Sequence, residues 1–165
     1  GLEEKILKIM KENWDSSGVL LFLDLDDFKQ INDSKGHAFG DKVLRTVAEK
    51  IKSCVRSTDV VGRIGGDEFI VFLNGIGGKD AALKKAEEIE QKIQDGFHGY
   101  PVTVSIGIAQ FPEDGAEFDV LIKRADQALY YSKNKGKNRY TFYDKKTKDM
   151  PFQSLLSKMD SDEDL

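Results

Sequence analysis

A continuous apolar run at residues 19–23 limits most strongly how this chain can fold. The run has no alternating polar side chain, which is typical of a central strand buried on both faces. It ends on Asp24, so a carboxylate stands where the strand leaves the sheet. A carboxylate in that place is costly unless it is paired, hydrogen-bonded or bound to a metal. The sequence therefore predicts a central strand with an acidic group of special interest at its end.

The rest of the chain predicts helices and strands in the order β-α-β-β-α-β, with extra helices and a closing strand. The predicted helices lie at residues 2–13, 39–55, 81–93 and 121–129, with a turn or short helix over 26–33. The predicted further strands lie at residues 59–64, 69–73, 102–109 and 140–143. This order indicates an α+β, ferredoxin-like fold in which helices cover an antiparallel-dominated sheet. The acidic end, residues 161–165, is expected to fray.

Two glycines separate the strands at 59–64 and 69–73. Gly65 and Gly66 fit a two-residue hairpin turn, because glycine tolerates the positive φ angles that such a turn needs. Asp67 and Glu68 then stand at the hairpin tip, where a side chain can reach a ligand. The alternative is a solvent-exposed hairpin whose carboxylates serve only solubility.

Asp24 and Asp67 are candidate ligands of one metal ion. In a ferredoxin-like sheet the first strand is central and neighbours the middle hairpin, so the two carboxylates can come within a few ångströms. Hard oxygen ligands that leave positions for substrate phosphates suit Mg²⁺. In the alternative interpretation Asp26 or Asp27 is a helix N-cap and the other carboxylates are solvated, and both interpretations can hold at once.

Known phosphate and calcium motifs fail on spacing. A calcium loop would need Asp or Asn where this chain has Phe28, and Gly where it has Lys29. Gly78-Lys79 and Gly136-Lys137 do not complete a Walker A loop. Phosphate binding is therefore expected from free backbone N–H groups of residues 26–29, beside Lys29.

Two further polar groups have both a functional and an ordinary interpretation. Asn32 and Asp41 can read a guanine, since a carboxylate accepts from its N1–H and exocyclic amine; alternatively they belong to an ordinary loop and a first helical turn. The cations at Lys133, Lys135, Lys137 and Arg139 can clamp phosphates, or they form a solvated helix end.

Composition excludes several function classes. The net charge is −4 and no Lys/Arg block is long enough for an electrostatic footprint, so nucleic acid is not expected as the main partner. The single cysteine, Cys54, favours a reducing compartment, and no apolar run approaches the roughly 20 residues of a membrane span. A cytoplasmic domain without direct membrane insertion is expected. The chain begins with Gly1, which suggests a piece cut from a longer polypeptide.

Several spaced motifs together resemble the GGDEF family of diguanylate cyclases. They are Asp24-x-Asp26-x-Phe28-Lys29-x-x-Asn32-Asp33-x-x-Gly36-His37-x-x-Gly40-Asp41, Arg63-x-Gly65-Gly66-Asp67-Glu68-Phe69 and Lys133-x-x-Gly136-Lys137-Asn138-Arg139. The resemblance implies a palm-type fold akin to nucleotide cyclases and polymerases, and condensation of two GTP into cyclic di-GMP with release of two pyrophosphates. It places the catalytic domain at 18–144, after an N-terminal helix and linker at 1–17 and before a C-terminal appendage at 145–165, expected to be partly disordered.

The resemblance also implies roles for matched positions. Asp24, Asp67 and the carbonyl of Leu25 match the ligands of Mg²⁺ or Mn²⁺, and Glu68 is placed to support the metal or the catalysis. The other matched positions are Asn32 and Asp41 for guanine, Asp27, Phe28 and Lys29 for the phosphate-binding turn, and Lys133 and Lys137 for the distal phosphates. The family often has Arg at position 137, so bidentate capture is lost there.

Arg56-x-x-Asp59 resembles the product-inhibition motif of the family; without that register it reads as a helix end and a strand start. The resemblance further implies that two GTP-loaded domains meet as a homodimer. The family usually begins with Asp-x-Leu-Thr-Gly-Leu-x-Asn-Arg, where this chain has Gly1-Leu2, which fits a missing upstream sensory domain. The alternative function is a catalytically silent module that binds GTP or cyclic di-GMP as a receptor; degenerate motifs usually mark such modules, and here the motif residues are present.

Overall fold

The computed structural model describes residues 1–12, 17–152 and 163–165. The helices are α1 (Leu2–Glu12), α2 (Phe28–Lys35), α3 (His37–Ser53), α4 (Gly78–Asp95) and α5 (Phe118–Asn134). The strands are β1 (Gly18–Leu25), β2 (Val60–Arg63), β3 (Glu68–Asn74), β4 (Val104–Phe111), β5 (Tyr140–Phe142) and β6 (Glu163–Asp164). In these residues no helix has the length and apolar character needed to cross a membrane.

The strands form one sheet in the order β5-β4-β1-β3-β2-β6. β1 lies at its centre and pairs antiparallel with both β3 and β4. β2 pairs antiparallel with β3, and β5 is parallel to β4. The predicted α+β, antiparallel-dominated sheet with a central first strand is confirmed.

The two faces of β1 pack against different pairs of helices. Val19, Leu21 and Leu23 join a cluster with apolar side chains of α3 and α4. Leu20 and Phe22 join a second cluster with α1 and α5. Each of these five side chains is at most 2% exposed, and burying a side chain of this size stabilises a fold by roughly 1.5–3 kcal/mol. The uninterrupted apolar run is therefore explained by a strand that is covered on both sides.

The backbones of α5 and β4 are in direct contact at Gly107. A Cβ on this glycine would overlap the carbonyl oxygen of Ala125 and the nitrogen of Leu129. Near the end of the helix, the hydroxyl of Ser132 donates to the carbonyl of Ile106 at 3.0 Å. These contacts place the C-terminal end of α5 beside the end of β1.

The β2–β3 hairpin differs from the predicted two-residue turn. The N–H of Ile64 donates to the carbonyl of Glu68 at 3.0 Å, which leaves three residues, Gly65, Gly66 and Asp67, in the loop. Neither glycine has φ in the left-handed region, because the chain reversal is shared among three residues. The prediction of a tight turn with positive φ was wrong.

The acidic end also differs from expectation. β6 pairs antiparallel with β2, and the N–H of Leu165 donates to the carbonyl of Val61 at 3.0 Å. The prediction that this end frays is therefore wrong for residues 163–165. The predicted end of the first helix at residue 13 lies outside the described residues.

Candidate active site

The end of β1 and the hairpin loop meet at two carboxylates. Asp24 pairs in register with Glu68 on β3, and the N–H of Leu25 donates to the carbonyl of Asp67 at 3.1 Å. The Asp67 carboxyl group lies close enough to Asp24 to help raise the pKa of Asp24. The predicted closeness of Asp24 and Asp67 is thus confirmed.

Asp24 is strongly perturbed by this environment. Burial raises the pKa of Asp24 to about 8, the nearby Asp67 and Glu68 carboxylates add to the rise, and the Lys133 ammonium opposes it. Without a further cation, the protonated form of Asp24 is therefore favoured at neutral pH. A divalent cation would remove the need for that proton, since it favours the charged form of the Asp24 carboxylate.

Lys133 points from α5 to the end of β1. Its Nζ lies 2.8 Å from Oδ1 of Asp26, 3.2 Å from the carbonyl of Leu25 and 3.4 Å from the carbonyl of Asp24. It is also 3.6 Å from the Asp24 carboxylate, and its side chain is 23% exposed. The alternative of a solvated helix end is wrong for this lysine.

The buried Asp26 carboxylate accepts several hydrogen bonds, which the sequence analysis missed because it considered this side chain only as a helix cap. Its carboxylate accepts from the hydroxyls of Thr103 at 2.7 Å and Ser105 at 2.6 Å, from Lys133, and from the backbone N–H of Asn138 at 2.9 Å. Burial alone would raise the pKa of Asp26, but the hydrogen bonds from Lys133, Ser105 and Thr103 hold it below its usual value. The sequence contains one indication of these partners, because Thr103 and Ser105 are two residues apart and so place two hydroxyls on one face of a strand.

The donor set at the end of β1 fits a hard divalent cation. Asp24 and Asp67 supply carboxylate oxygens and Leu25 a carbonyl oxygen, the ligand type that Mg²⁺ and Mn²⁺ prefer. The Lys133 ammonium on the Leu25 carbonyl shows that these oxygens attract a cation. Among the described residues there is no group of three or more His, Cys, Asp or Glu side chains arranged for a metal. Mg²⁺ is commonly held by one or two carboxylates, with phosphate and water as its other ligands.

The turn after β1 is shaped by Asp27. This residue has φ 57° and precedes α2 without a side-chain cap, and its carboxylate is 2.5 Å from Nζ of Lys137. Phe28 packs on the core, while Lys29 is exposed. The N–H of Asp26 donates to the carbonyl of Thr103 at 3.0 Å, because the turn continues the pairing of β1 with the segment before β4. The prediction of four free N–H groups at 26–29 was therefore wrong at Asp26, and the expected anion site narrows to 27–29.

Asn32 and Asp41 are brought together by Gly40. A Cβ on the buried Gly40 would overlap Oδ1 of Asn32, so the Asn32 amide lies against the backbone of α3. Asp41 is the next residue on that helix and is exposed. The two proposed guanine contacts therefore come from neighbouring positions on α2 and α3.

Arg56 and Asp59 form a separate polar cluster. The side chain of Asp59 is 2% exposed, and its carboxylate accepts from the N–H of Arg56 at 2.8 Å, from the Arg56 guanidinium at 3.3 Å and from the N–H of Asn74 at 2.9 Å. The Arg56 guanidinium also donates to the Asn74 carbonyl. The Arg56 side chain is 62% exposed and lines a cavity of about 730 Å³ with Lys5 and Lys8. Glu68 and Asn74 end the same strand, so this cluster lies roughly 20 Å from the Asp24 site.

Comparisons with known proteins identify a matching family. The family model described as "Diguanylate cyclase, GGDEF domain" matches residues 2–139. The chain is 44% identical over 127 residues to diguanylate cyclase A of Treponema denticola, which covers 74% of this chain and 34% of that protein. It spans about a third or less of the length of the first curated relatives it matches.

Solved structures show the same fold. The GGDEF domain of PA1120 (YfiN or TpbB) from Pseudomonas aeruginosa is 33% identical with a TM-score of 0.81, over 86% of this chain and 92% of that one. The GGDEF domain of DgcB from Caulobacter crescentus, solved in complex with c-di-GMP, is 29% identical with a TM-score of 0.73, over 86% of this chain and 85% of that one. With its palm-like sheet and the matched motifs at the end of β1, the chain belongs to the GGDEF family of diguanylate cyclase domains.

Proposed function

We propose that this domain condenses two GTP molecules into cyclic di-GMP. In each half-reaction a 3′-hydroxyl attacks the α-phosphorus of the other GTP, the new P–O bond forms, and the bond to pyrophosphate breaks. The hydroxyl proton is lost to solvent and pyrophosphate leaves. The observation that carries this proposal is the Asp24–Asp67 carboxylate pair with the Leu25 carbonyl, because phosphoryl transfer needs charge stabilisation more than a protein nucleophile.

Asp24, Asp67 and Leu25 are the residues proposed to hold Mg²⁺ or Mn²⁺. When bound there, a divalent ion lowers the pKa of the attacking hydroxyl and offsets charge on the phosphoryl oxygens. The strand register holds Asp24 rigidly, and the Leu25–Asp67 hydrogen bond keeps the hairpin loop against β1. Glu68, opposite Asp24, supports the metal or the catalysis.

Backbone and cationic groups around the loop are proposed to bind the triphosphate. The N–H groups of residues 27–29 lie at the start of α2 beside Lys29, and the helix dipole favours an anion there. Lys133 and Lys137, which contact the carboxylates of residues 24–27, supply further positive charge beside this turn. A Cβ on Gly66 would meet no protein atom within 4 Å, so open space lies beside the loop backbone where a nucleotide can approach.

Asn32 and Asp41 are proposed to recognise guanine. The exposed Asp41 carboxylate can accept from the N1–H and the exocyclic amine, and the Asn32 amide can donate to a ring acceptor. A carboxylate at position 41 disfavours adenine, which presents an acceptor at N1. This pair gives the site its choice of base.

The reaction requires two copies of the domain. Each domain holds one GTP, so the 3′-hydroxyl of one reaches the α-phosphorus of the other only when two loaded sites face each other. The exposure of Asp27, Lys29 and Asp41 supports a site that opens to a partner. A homodimer, brought together by an upstream sensory domain in the full-length protein, is therefore part of the proposal.

Arg56 and Asp59 are proposed to bind the product as an inhibitor. The Arg56 guanidinium faces the cavity and can bind a guanine edge or phosphate bidentately. Asp59 is only 2% exposed and already accepts hydrogen bonds from Arg56 and Asn74, which supports a role in holding Arg56 in place. The related DgcB domain was solved with c-di-GMP, which supports product binding by this fold.

Incubation of the purified domain with GTP and Mg²⁺, followed by chromatography, tests the proposal. Cyclic di-GMP is the expected product, and Asp67→Asn should reduce its formation about a hundredfold or more. Asp119→Asn, at an exposed position in the first turn of α5, removes the same charge away from the site and should leave the rate unchanged. Bound GTP without product at high protein concentration would instead support the silent receptor.

A further inference from the structure

Lys133 and a divalent ion at the end of β1 would compete for the same oxygens. The lysine ammonium already contacts the Leu25 carbonyl at 3.2 Å and the Asp24 carboxylate at 3.6 Å. Mg²⁺ binds oxygen at about 2.0–2.1 Å, so an ion on either of these atoms would lie within roughly 6 Å of Nζ. Two cations at that distance repel each other strongly in a partly buried place.

The position of Lys133 is built into the fold. The Asp26 carboxylate holds Nζ at 2.8 Å and is itself fixed by Thr103 and Ser105. Ser132, the preceding residue on α5, is bonded to the carbonyl of Ile106. Lys133 is therefore held at the end of β1 by two neighbouring anchors.

From this geometry we infer that the Lys133 ammonium is a stand-in cation, which occupies the end of β1 in the nucleotide-free domain and is displaced when a divalent ion enters. The inference rests on the metal-binding role proposed for Asp24, Leu25 and Asp67. It adds that Lys133 weakens metal binding to the empty domain. Lys133 becomes available to phosphate only after it leaves the Leu25 carbonyl, so metal entry and phosphate capture by this lysine are linked.

Titration of the nucleotide-free domain with Mn²⁺, followed by the electron paramagnetic resonance signal of the free ion, tests the inference. Lys133→Met should bind Mn²⁺ about tenfold more tightly than the wild type, because a competing cation is removed. Lys133→Gln keeps a hydrogen-bond donor without the charge and should also bind more tightly. Circular dichroism establishes that each variant is folded.

Lys135→Met is the matched control. Lys135 is exposed on the same segment, lies over the Tyr131 ring and makes none of the contacts at the end of β1. The Lys135→Met variant loses the same net charge as Lys133→Met, so its Mn²⁺ affinity should stay within about twofold of the wild type. Equal tightening in Lys133→Met and Lys135→Met would reduce the effect to net charge and overturn the inference.

Unchanged or weaker Mn²⁺ binding in folded Lys133→Met and Lys133→Gln would also overturn it. The measurement contains no GTP, so its result is independent of turnover. Tighter Mn²⁺ binding in a domain that makes no cyclic di-GMP would support the stand-in cation while contradicting the proposed enzyme. If the domain made cyclic di-GMP but the Lys133 variants did not bind Mn²⁺ more tightly, the proposed enzyme would be supported and the stand-in cation contradicted.

Discussion

The amide of Asn32 occupies the space that a side chain at Gly40 would need. Gly40 is buried in the first turn of α3, so the glycine is required for contact between α2 and α3 at the proposed guanine site. Asn32 therefore depends on a residue eight positions later for its orientation.

Gly40→Ala should impair GTP binding more than it impairs the fold. The added Cβ pushes the Asn32 amide away from the proposed base contact, and loss of about one hydrogen bond predicts a roughly tenfold higher KM for GTP. Steady-state kinetics on the folded variant measures this. Gly77→Ala is the control, since a Cβ there meets nothing within 4 Å and φ is −93°. An unchanged KM in Gly40→Ala would contradict the assignment of Asn32.

Asp26→Asn should destabilise the domain by about 2–3 kcal/mol. An amide cannot accept from all of Thr103, Ser105, Lys133 and Asn138, and its own N–H₂ would face these donors. Urea unfolding of the metal-free domain measures the loss. Ser105→Ala removes one donor and should cost about 1 kcal/mol. If Asp26→Asn lowered the free energy of unfolding no more than Ser105→Ala, the hydrogen bonds to Asp26 would not be jointly important for stability.

Glu90→Gln should change how stability depends on pH. Burial raises the pKa of Glu90 to about 7 from 4.5, with Glu87 and Asp26 adding to the rise, and its buried Oε1 has no hydrogen-bond partner in the described part of the chain. The native state therefore binds more protons than the unfolded chain between these values. The stability contributed by the protonated group is present below pH 4.5 and lost as pH rises through about 7.

The glutamine stays neutral, so near pH 8 the variant should be more stable than the wild type by on the order of 1 kcal/mol. Near pH 4.5 the two should be similar. Thermal unfolding across this range measures the difference. Asp24 titrates with the same sign in both proteins, so their difference isolates Glu90. Parallel stability curves would contradict the raised pKa.

Arg56→Ala should relieve product inhibition while it preserves the initial rate. Loss of a charge-assisted contact predicts that about tenfold more cyclic di-GMP is needed for half-inhibition. Initial rates of pyrophosphate release with added product measure this. Lys92→Ala, an exposed lysine outside the cavity, should show wild-type inhibition. If product inhibition were the same in Arg56→Ala as in the wild type, Arg56 and Asp59 would not form the inhibitory site.

Local patterns predicted the fold because hydrophobic periodicity reports burial directly. The apolar run of β1 required cover on both faces, and the element order then placed the hairpin beside it. The closeness of Asp24 and Asp67 followed from that topology alone. The two-residue strand β6 carried no such pattern, since so short a segment has too few residues to show a period.

Long-range partners explain what the sequence did not predict. Asp26 looked like a helix cap because its neighbours in sequence suggested one, whereas its actual partner Thr103 lies 77 residues away. The inward position of Lys133 depends on how closely α5 approaches β4. The sequence shows Gly107 as an ordinary glycine in a strand, and only the packed structure reveals which backbone it meets.

The backbone contact at Gly107 fixes the distance between α5 and β4 through main-chain atoms and not through side chains. Substitutions among the apolar residues of α5 can alter the packing without changing how far the helix stands from β4 at that point, provided position 107 keeps no side chain. Lys133 lies about one helical turn beyond Leu129, so the position of its side chain depends on main-chain atoms. The apolar face of α5 is therefore free to diverge in sequence while the lysine keeps its place.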